Sequence, residues 1–184
     1  MKRRTHPRIL CVAGPSGSGK TTLIAGIVPR LPVPRARLGV LKHTHHRIEW
    51  HPEGKDSRRL RDLEPGALGV VGPDRTAVFL SEDEEEDATR QLLRACSRLP
   101  RGLQLVLAEG FTGADAPTIW VDAGGGPPEG LDVPGLRGVA VPAGDVRSWQ
   151  EAGVEVPVFS RDDLEELAAR AAGWAAKPRA SAGG

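Results

Sequence analysis

Short continuous apolar runs alternate with segments of helical periodicity along the 184-residue chain. The runs RILCVAG and LQLVLAEGF are typical of strands that are buried on both faces of a parallel sheet. We predict further strands in ARLGVLK, TIWV, LRGVAV and VPVF, with ALGVVG and TAVFL as candidates for an edge hairpin. This order predicts an α/β fold with a mostly parallel sheet that is covered by helices.

The predicted helices have recognisable ends. We predict a helix in GKTTLIAGIV that ends near Pro29. A second, short basic helix is predicted to begin with Asp56 as its N-cap and to stop before Pro65. Ser160 and Asp163 form a capping-box pattern at the start of the closing helix. Two segments place apolar residues on one helical face: Ala88, Leu92, Ala95 and Leu99 in the first, and Leu164, Leu167, Ala168 and Ala171 in the second.

The composition favours one globular domain without a strong overall charge. A chain of this length suits a single domain, which we place at residues 1–176, followed by a disordered tail at 177–184. The 25 basic and 24 acidic residues nearly balance, so we expect no nucleic-acid partner and no membrane partner. Cys11 and Cys96 lack the spacing of a metal clip and are predicted to be buried reduced thiols. These thiols, and an apolar run at residues 9–13 that is too short for a secretory signal, favour a cytoplasmic location.

The segment GPSGSGKTT carries the strongest chemical signal. It contains the P-loop pattern of two glycines, a lysine and a threonine, and it lies between an apolar strand and a helix as that pattern requires. Glycines let successive backbone N–H groups face phosphates, Lys20 neutralises the terminal phosphates and the Thr21 hydroxyl binds Mg²⁺. The predicted fold is therefore P-loop NTPase-like, with these nucleotide-binding residues: Gly14, Pro15, Ser16, Gly17, Ser18, Gly19, Lys20, Thr21 and Thr22.

Glu109 ends the apolar strand LVLAE, where P-loop proteins usually carry a carboxylate that reaches Mg²⁺. We predict Thr21 and Glu109 as metal ligands, and Lys20 and Glu109 as catalytic residues. The alternative for Glu109 is an ordinary strand-end acid in solvent. In place of the Asn-Lys-x-Asp motif of guanine-specific GTPases the chain has VAVPAGD, which keeps only Asp145. The base preference is therefore left open by the residues themselves.

A histidine-rich segment follows the second predicted strand. Its C-terminal end, the edge at which parallel sheets bind ligands, carries His43, His45 and His46. Together with His51 they could contact a phosphate or substrate anion, ligate zinc or nickel, or lie in a solvated loop, and we favour anion contact. Lys55 and Asp56 follow. They could approach phosphate and Mg²⁺, or belong to a capped helix with a solvated basic face.

The motifs together resemble one known family. GPSGSGKTTL, LKHTHH, GKDSRRLRDLEPGA and LVLAEGF follow one another as in the molybdopterin-guanine dinucleotide biosynthesis protein B (MobB) family, over residues 8 to 111. The resemblance implies a GTP-binding adapter, a homodimer with weak GTPase activity, that assists a guanylyltransferase in attaching GMP to molybdopterin. It also implies that residues 14–22 bind phosphates, that Glu109 lies on the Mg²⁺ side, and that His43 to His46 with Lys55 and Asp56 face the nucleotide or the pterin phosphate.

Two other classes share part of the pattern. A uridine-kinase-like phosphotransferase has a similar loop, but it usually carries an arginine-rich lid that we do not find in the sequence. A nickel-type metal-insertion GTPase would explain the histidines. Such a GTPase normally also has cysteine ligands and the Asn-Lys-x-Asp motif, and this sequence has neither. The chain departs from the MobB pattern after EGF, in the Gly- and Pro-rich segment TGADAPTIWVDAGGGPPEG. Within it, we expect the loop at residues 124–130 to be mobile.

Overall fold

The computed structural model describes residues 7–44, 59, 63, 65–74, 76–80 and 87–176. The chain divides into two compact units, residues 1–43 with 86–184, and residues 44–85. One nucleotide-binding domain over residues 1–176 stays a prediction. The expected tail at 177–184 lies outside the described residues, and so does the expected basic helix after Asp56 except for Arg59 and Leu63.

The first unit is built on a six-stranded sheet. The described part of the whole chain contains eight strands, in chain order β1 (Arg8–Ala13), β2 (Leu38–Lys42), β3 (Ala67–Val71), β4 (Thr76–Leu80), β5 (Leu105–Glu109), β6 (Thr118–Val121), β7 (Leu136–Val141) and β8 (Val158–Ser160). The six-stranded sheet has the order β2-β5-β1-β6-β7-β8, and all five pairings are parallel. The predicted mostly parallel sheet is confirmed.

Four helices lie among the described residues: α1 (Lys20–Ile27), α2 (Ala88–Arg98), α3 (Val146–Glu151) and α4 (Leu164–Trp174). As predicted, α1 ends near Pro29, which lies in a short 3-10 turn, Val28–Arg30. The capping-box prediction was wrong, because the N-cap of α4 is Asp163, whose carboxylate accepts from the Glu166 N–H. Ser160 belongs to β8, and the α3 helix was not predicted.

Both faces of the sheet are covered, so the central strands are apolar on both sides. On β1, Leu10 and Val12 pack in one core cluster with α1 and α4, while Ile9 and Cys11 pack in another with α2. All five residues of β5 are buried as well. Cys11 and Cys96 are free and buried in the second cluster, as predicted.

The second unit contains the predicted hairpin. Strands β3 and β4 pair antiparallel, with Gly69 opposite Val78. They form a two-stranded sheet of their own, which differs from the predicted place at an edge of the main sheet. Val71, Val78 and Leu80 are exposed on these strands.

The parallel register brings three strand ends together in the first unit. Glu109, the last residue of β5, lies opposite Lys42 on β2 and Val12 on β1. The chain leaves β1 for the glycine-rich loop immediately after this point. Ligands bind at this edge of open α/β sheets. Among the described residues, no helix has the length and apolar character needed to cross a bilayer.

Candidate functional site

The loop between β1 and α1 has a backbone that only glycine permits at several positions. Gly14, Gly17 and Gly19 have φ angles of 144°, 77° and 95°. A Cβ atom on Gly14 would lie 2.1 Å from the Val121 carbonyl oxygen, a backbone atom of the neighbouring strand β6. The loop can therefore lie against the sheet edge only because this residue has no side chain.

The N-terminus of α1 opens onto this loop. Its N-cap is Gly19, which makes no side-chain capping hydrogen bond, and the first turn contains no acidic residue. The first N–H groups of a helix have no intrahelical partner, and together with the helix dipole they favour an anion. Thr21 and Thr22 of the first turn are exposed, and so are Pro15, Ser16 and Gly17 of the loop.

Lys20 folds back over the loop. Its Nζ donates to the Gly14 carbonyl oxygen at 3.0 Å and to the Pro15 carbonyl oxygen at 2.5 Å. These contacts place the ammonium group at the loop whose N–H groups would face a phosphate.

Ser18 differs from its neighbours, because its side chain is fully buried and its Oγ has no hydrogen-bond partner within the described part of the chain.

Glu109 and Thr21 meet directly, 88 positions apart in sequence. The Thr21 hydroxyl donates to the Glu109 carboxylate, with 2.8 Å from Oγ1 to each carboxylate oxygen. Glu109 is only 7% exposed, which differs from an ordinary strand-end acid in solvent. Oxygen ligands suit Mg²⁺, and two oxygens that share one octahedral Mg²⁺ lie about 2.9 Å apart, close to the distance found here. The residues present therefore fit a magnesium site.

Lys42 joins this pair from the end of β2, a contact that we did not predict. Its Nζ lies 3.1 Å from Glu109 Oε1 and 3.4 Å from Thr21 Oγ1. The sequence signal was available, since Lys42 precedes the histidines at the C-terminal edge of a predicted strand. A hydroxyl, a carboxylate and an ammonium group thus lie together beside the loop.

Arg161 contacts the loop from the other side and was also missed. It follows β8, and its N–H donates to the Val141 carbonyl oxygen as a continuation of the sheet ladder. Its guanidinium donates to the Ser18 carbonyl oxygen at 3.3 Å and lies 3.7 Å from the position of a Cβ on Gly19. No local pattern around Arg161 indicated this contact, which joins residues 143 positions apart.

His43 is the described member of the predicted histidine cluster. Its N–H donates to the Glu109 carbonyl oxygen at 2.8 Å, and its ring lies 5.2 Å from the Phe111 ring. Gly110 has a φ of 83°, and a Cβ there would lie 2.9 Å from the His43 carbonyl oxygen. The close approach of the two backbone segments therefore also requires glycine at this position. The backbone beside Glu109 thus fixes where the histidine segment starts.

The other members of that segment lie outside the described residues: His45, His46, His51, Lys55 and Asp56. The contact of His45, His46, Lys55 and Asp56 with the nucleotide or the pterin phosphate stays a prediction, and so does the alternative in which His51 helps to ligate a metal ion. Within residues that the structure describes, no group of three histidine, cysteine or acidic side chains is arranged to hold a metal ion.

Two carboxylates lie on the Arg161 side of the loop. Asp122 follows β6, is 6% exposed and accepts from the Gly124 N–H at 2.8 Å. A Cβ on Gly124 would lie 2.9 Å from Asp145 Oδ2, so the two aspartates flank the same glycine. The start of the Gly- and Pro-rich loop therefore lies at the same sheet edge as the loop between β1 and α1, residues 14–19, which we call the phosphate loop.

Residues 9–125 match the model of a family described as molybdopterin guanine dinucleotide synthesis protein B, or MobB. The chain belongs to the MobB family. The resemblance inferred from the motifs is thereby confirmed. The match covers the phosphate loop, Lys42, His43 and Glu109, and it ends before Asp145 and Arg161.

Two MobB relatives carry the name molybdopterin-guanine dinucleotide biosynthesis adapter protein. The one from Escherichia coli is 33% identical over 180 residues, which cover 96% of this chain and 98% of that protein. The one from Haemophilus influenzae is 33% identical over 111 residues, which cover 60% of this chain and 61% of that protein.

Solved MobB structures have the same fold. The Bacillus subtilis MobB structure has a TM-score of 0.60 at 23% identity and covers 89% of this chain and 97% of its own. The Bacillus stearothermophilus homologue has a TM-score of 0.54 at 22% identity, with 88% and 93% covered. These likenesses confirm the predicted P-loop NTPase-like fold.

Proposed function

We propose that this chain is a GTP-binding adapter in molybdenum cofactor biosynthesis that assists a guanylyltransferase in attaching GMP to molybdopterin. Membership of the MobB family and the adapter names of the two relatives support this role. The preference for GTP comes from the resemblance to the family. The adapter has at most a slow GTPase activity of its own.

One observation carries the nucleotide-binding part of the proposal. The buried carboxylate of Glu109 lies 2.8 Å from the Thr21 hydroxyl, at the first turn of the helix that follows the phosphate loop. Burying a carboxylate is costly unless it is paired or holds a cation. An ordinary structural glycine turn gives no reason to place a buried acid at this position.

The residues have separate tasks in this proposal. Within residues 14–22, every residue except Pro15 has a backbone N–H, and these N–H groups bind the phosphates. Lys20 exchanges its contacts with the Gly14 and Pro15 carbonyl oxygens for the terminal phosphates. Thr21 and Glu109 hold Mg²⁺, which neutralises phosphate charge when it is bound. His43, and with it His45, His46, Lys55 and Asp56, contacts the nucleotide or the pterin phosphate.

A homodimer and a cytoplasmic location belong to the same proposal. The exposed apolar side chains of Val71, Val78 and Leu80 on the hairpin supply surface of the kind that a dimer interface covers. Cys11 and Cys96 are buried free thiols, as expected in a reducing compartment. Light scattering after size-exclusion chromatography measures the oligomeric state directly.

Isothermal titration of GTP and ATP, with and without Mg²⁺, tests the nucleotide site. We expect GTP to bind more tightly than ATP, and Mg²⁺ to strengthen GTP binding. Glu109→Gln should remove most of the Mg²⁺ effect while it leaves Mg²⁺-free binding largely unchanged. Glu151→Gln is a matched control, because this exposed acid on α3 pairs with Arg147 in a surface ion pair. The same response to Mg²⁺ in both variants would contradict the proposed site.

The adapter role needs a second assay. Purified guanylyltransferase is supplied with molybdopterin, GTP and Mg²⁺, and dinucleotide formation is measured with and without this chain. We expect the chain to increase the yield and Lys20→Ala to abolish the increase. Equal yields with and without the chain would contradict the adapter role even if GTP binds.

A further inference from the structure

Lys42 is a charged group at the site to which no role has been assigned so far. Its ammonium group contacts both oxygen donors that fit Mg²⁺, at 3.1 Å from Glu109 Oε1 and 3.4 Å from Thr21 Oγ1. The Lys42 side chain is 59% exposed, whereas that of Glu109 is 9% exposed. The pair thus joins a solvent-exposed cation to a buried anion.

These contacts give Lys42 a reason to lie there when no metal ion is bound. A buried carboxylate without a counter-ion destabilises a fold, because the protein replaces water poorly around a charge. The Lys42 ammonium compensates Glu109 and keeps its carboxylate directed at Thr21. A dication bound to the same two oxygens would be repelled by the Lys42 ammonium group at contact distance.

We propose that Lys42 is a built-in substitute for Mg²⁺, which occupies the metal ligands of the nucleotide-free protein and keeps Mg²⁺ out until a nucleotide arrives. The exposed stem lets the ammonium group leave Glu109 without disturbing packed structure. Negative phosphates attract a dication more strongly than an ammonium ion, so they favour Mg²⁺ at Glu109 and offer Lys42 another anionic partner. The inference rests on the proposed function, because it takes Thr21 and Glu109 as the magnesium ligands.

Titration of nucleotide-free protein with MgCl₂ alone tests this inference. Lys42→Met removes the charge but keeps a side chain of similar length, so Mg²⁺ should bind about tenfold more tightly than to the wild type, equivalent to about 1.4 kcal/mol. The melting temperature of Lys42→Met should lie below that of the wild type without Mg²⁺ and should rise more when Mg²⁺ is added. Lys42→Arg retains the cation and should bind Mg²⁺ as weakly as the wild type.

Arg170→Met is the matched control. It removes one positive charge and one ion pair of the same length, Arg170 to Glu166 at 3.1 Å, from the exposed surface of α4. Mg²⁺ affinity should not change in this variant. Equal Mg²⁺ affinities of Lys42→Met and the wild type, or an equal increase in Arg170→Met, would overturn the inference. Failure of the wild type to bind GTP would instead overturn the proposed function, and the Mg²⁺ titration would still decide the role of Lys42.

Discussion

Alanine substitutions at Gly14 and Gly17 separate two reasons why the phosphate loop contains glycine. Both residues have positive φ angles, 144° and 77°, so either substitution introduces backbone strain of about 1–3 kcal/mol. A Cβ on Gly17 would meet nothing within 4 Å. A Cβ on Gly14 would lie 2.1 Å from the Val121 carbonyl oxygen, which belongs to the sheet and cannot turn aside as a side chain could.

The difference between the two variants isolates this clash. Forcing an extra methyl group into packed structure costs about 1–3 kcal/mol, so Gly14→Ala should lower the free energy of unfolding by about that much more than Gly17→Ala. For a protein of this size each kcal/mol corresponds to about 2–4 °C in melting temperature. Urea unfolding followed by tryptophan fluorescence measures the difference, because Trp149 is fully buried in the same unit. Equal losses in the two variants would refute the close approach of Gly14 to β6.

Three further predictions concern charge and chemistry. Lys20→Ala should lower GTP affinity about tenfold to a hundredfold without unfolding the chain, because charge-assisted hydrogen bonds contribute about 1.5–3 kcal/mol. Calorimetric titration measures this affinity, and an unchanged value would contradict the prediction. The isolated chain should hydrolyse GTP more slowly than about 1 s⁻¹ in a phosphate-release assay. Fast hydrolysis needs a positive charge on the transferred phosphate, and Arg161 at the loop is instead bonded to the Ser18 carbonyl oxygen. Rapid hydrolysis would argue against an adapter. Burial raises the pKa of Cys11 to about 12 and that of Cys96 to about 11, above the ordinary value of 9.0. Because thiolates are disfavoured in the folded state, the free energy of unfolding should fall as pH rises from 9 towards 11, and Cys96→Ala should reduce that fall.

The parts of the site that were predictable are those with a local sequence signal. The phosphate loop is a continuous segment, and its glycines, Lys20 and Thr21 can be recognised by spacing alone. Glu109 was predictable because it ends a strongly apolar strand, and parallel strands end at a common edge. Lys42 satisfies the same criterion at the end of β2, but the histidines beside it are the more conspicuous chemical signal in the sequence.

Arg161 shows why the rest could not be predicted. Its contact with Ser18 depends on β8 lying at the end of a six-stranded sheet and on the chain turning back towards the loop. The same sheet pairing explains the wrong N-cap of α4. Ser160 pairs with Val141 as the last residue of β8, so the helix can begin only beyond it, at the acceptable N-cap Asp163. Both Ser160 and Asp163 are suitable N-cap residues, and the pairing of β8 with β7 decides between them.

The two sides of the phosphate loop carry different support for the proposed function. On the side of β2 and β5, the family match and the geometry coincide, because Thr21, Lys42 and Glu109 lie inside the matched residues and contact one another. That side has oxygen donors of the kind that suits Mg²⁺, together with the Lys42 ammonium group that compensates Glu109. We expect a bound nucleoside to extend to the other side, over the ends of β6 to β8, where Asp145 and Arg161 lie beyond the matched residues. Discrimination between guanine and adenine is therefore to be sought in the part of the chain that follows the family match, and substitutions there should change base preference before they change phosphate or Mg²⁺ binding.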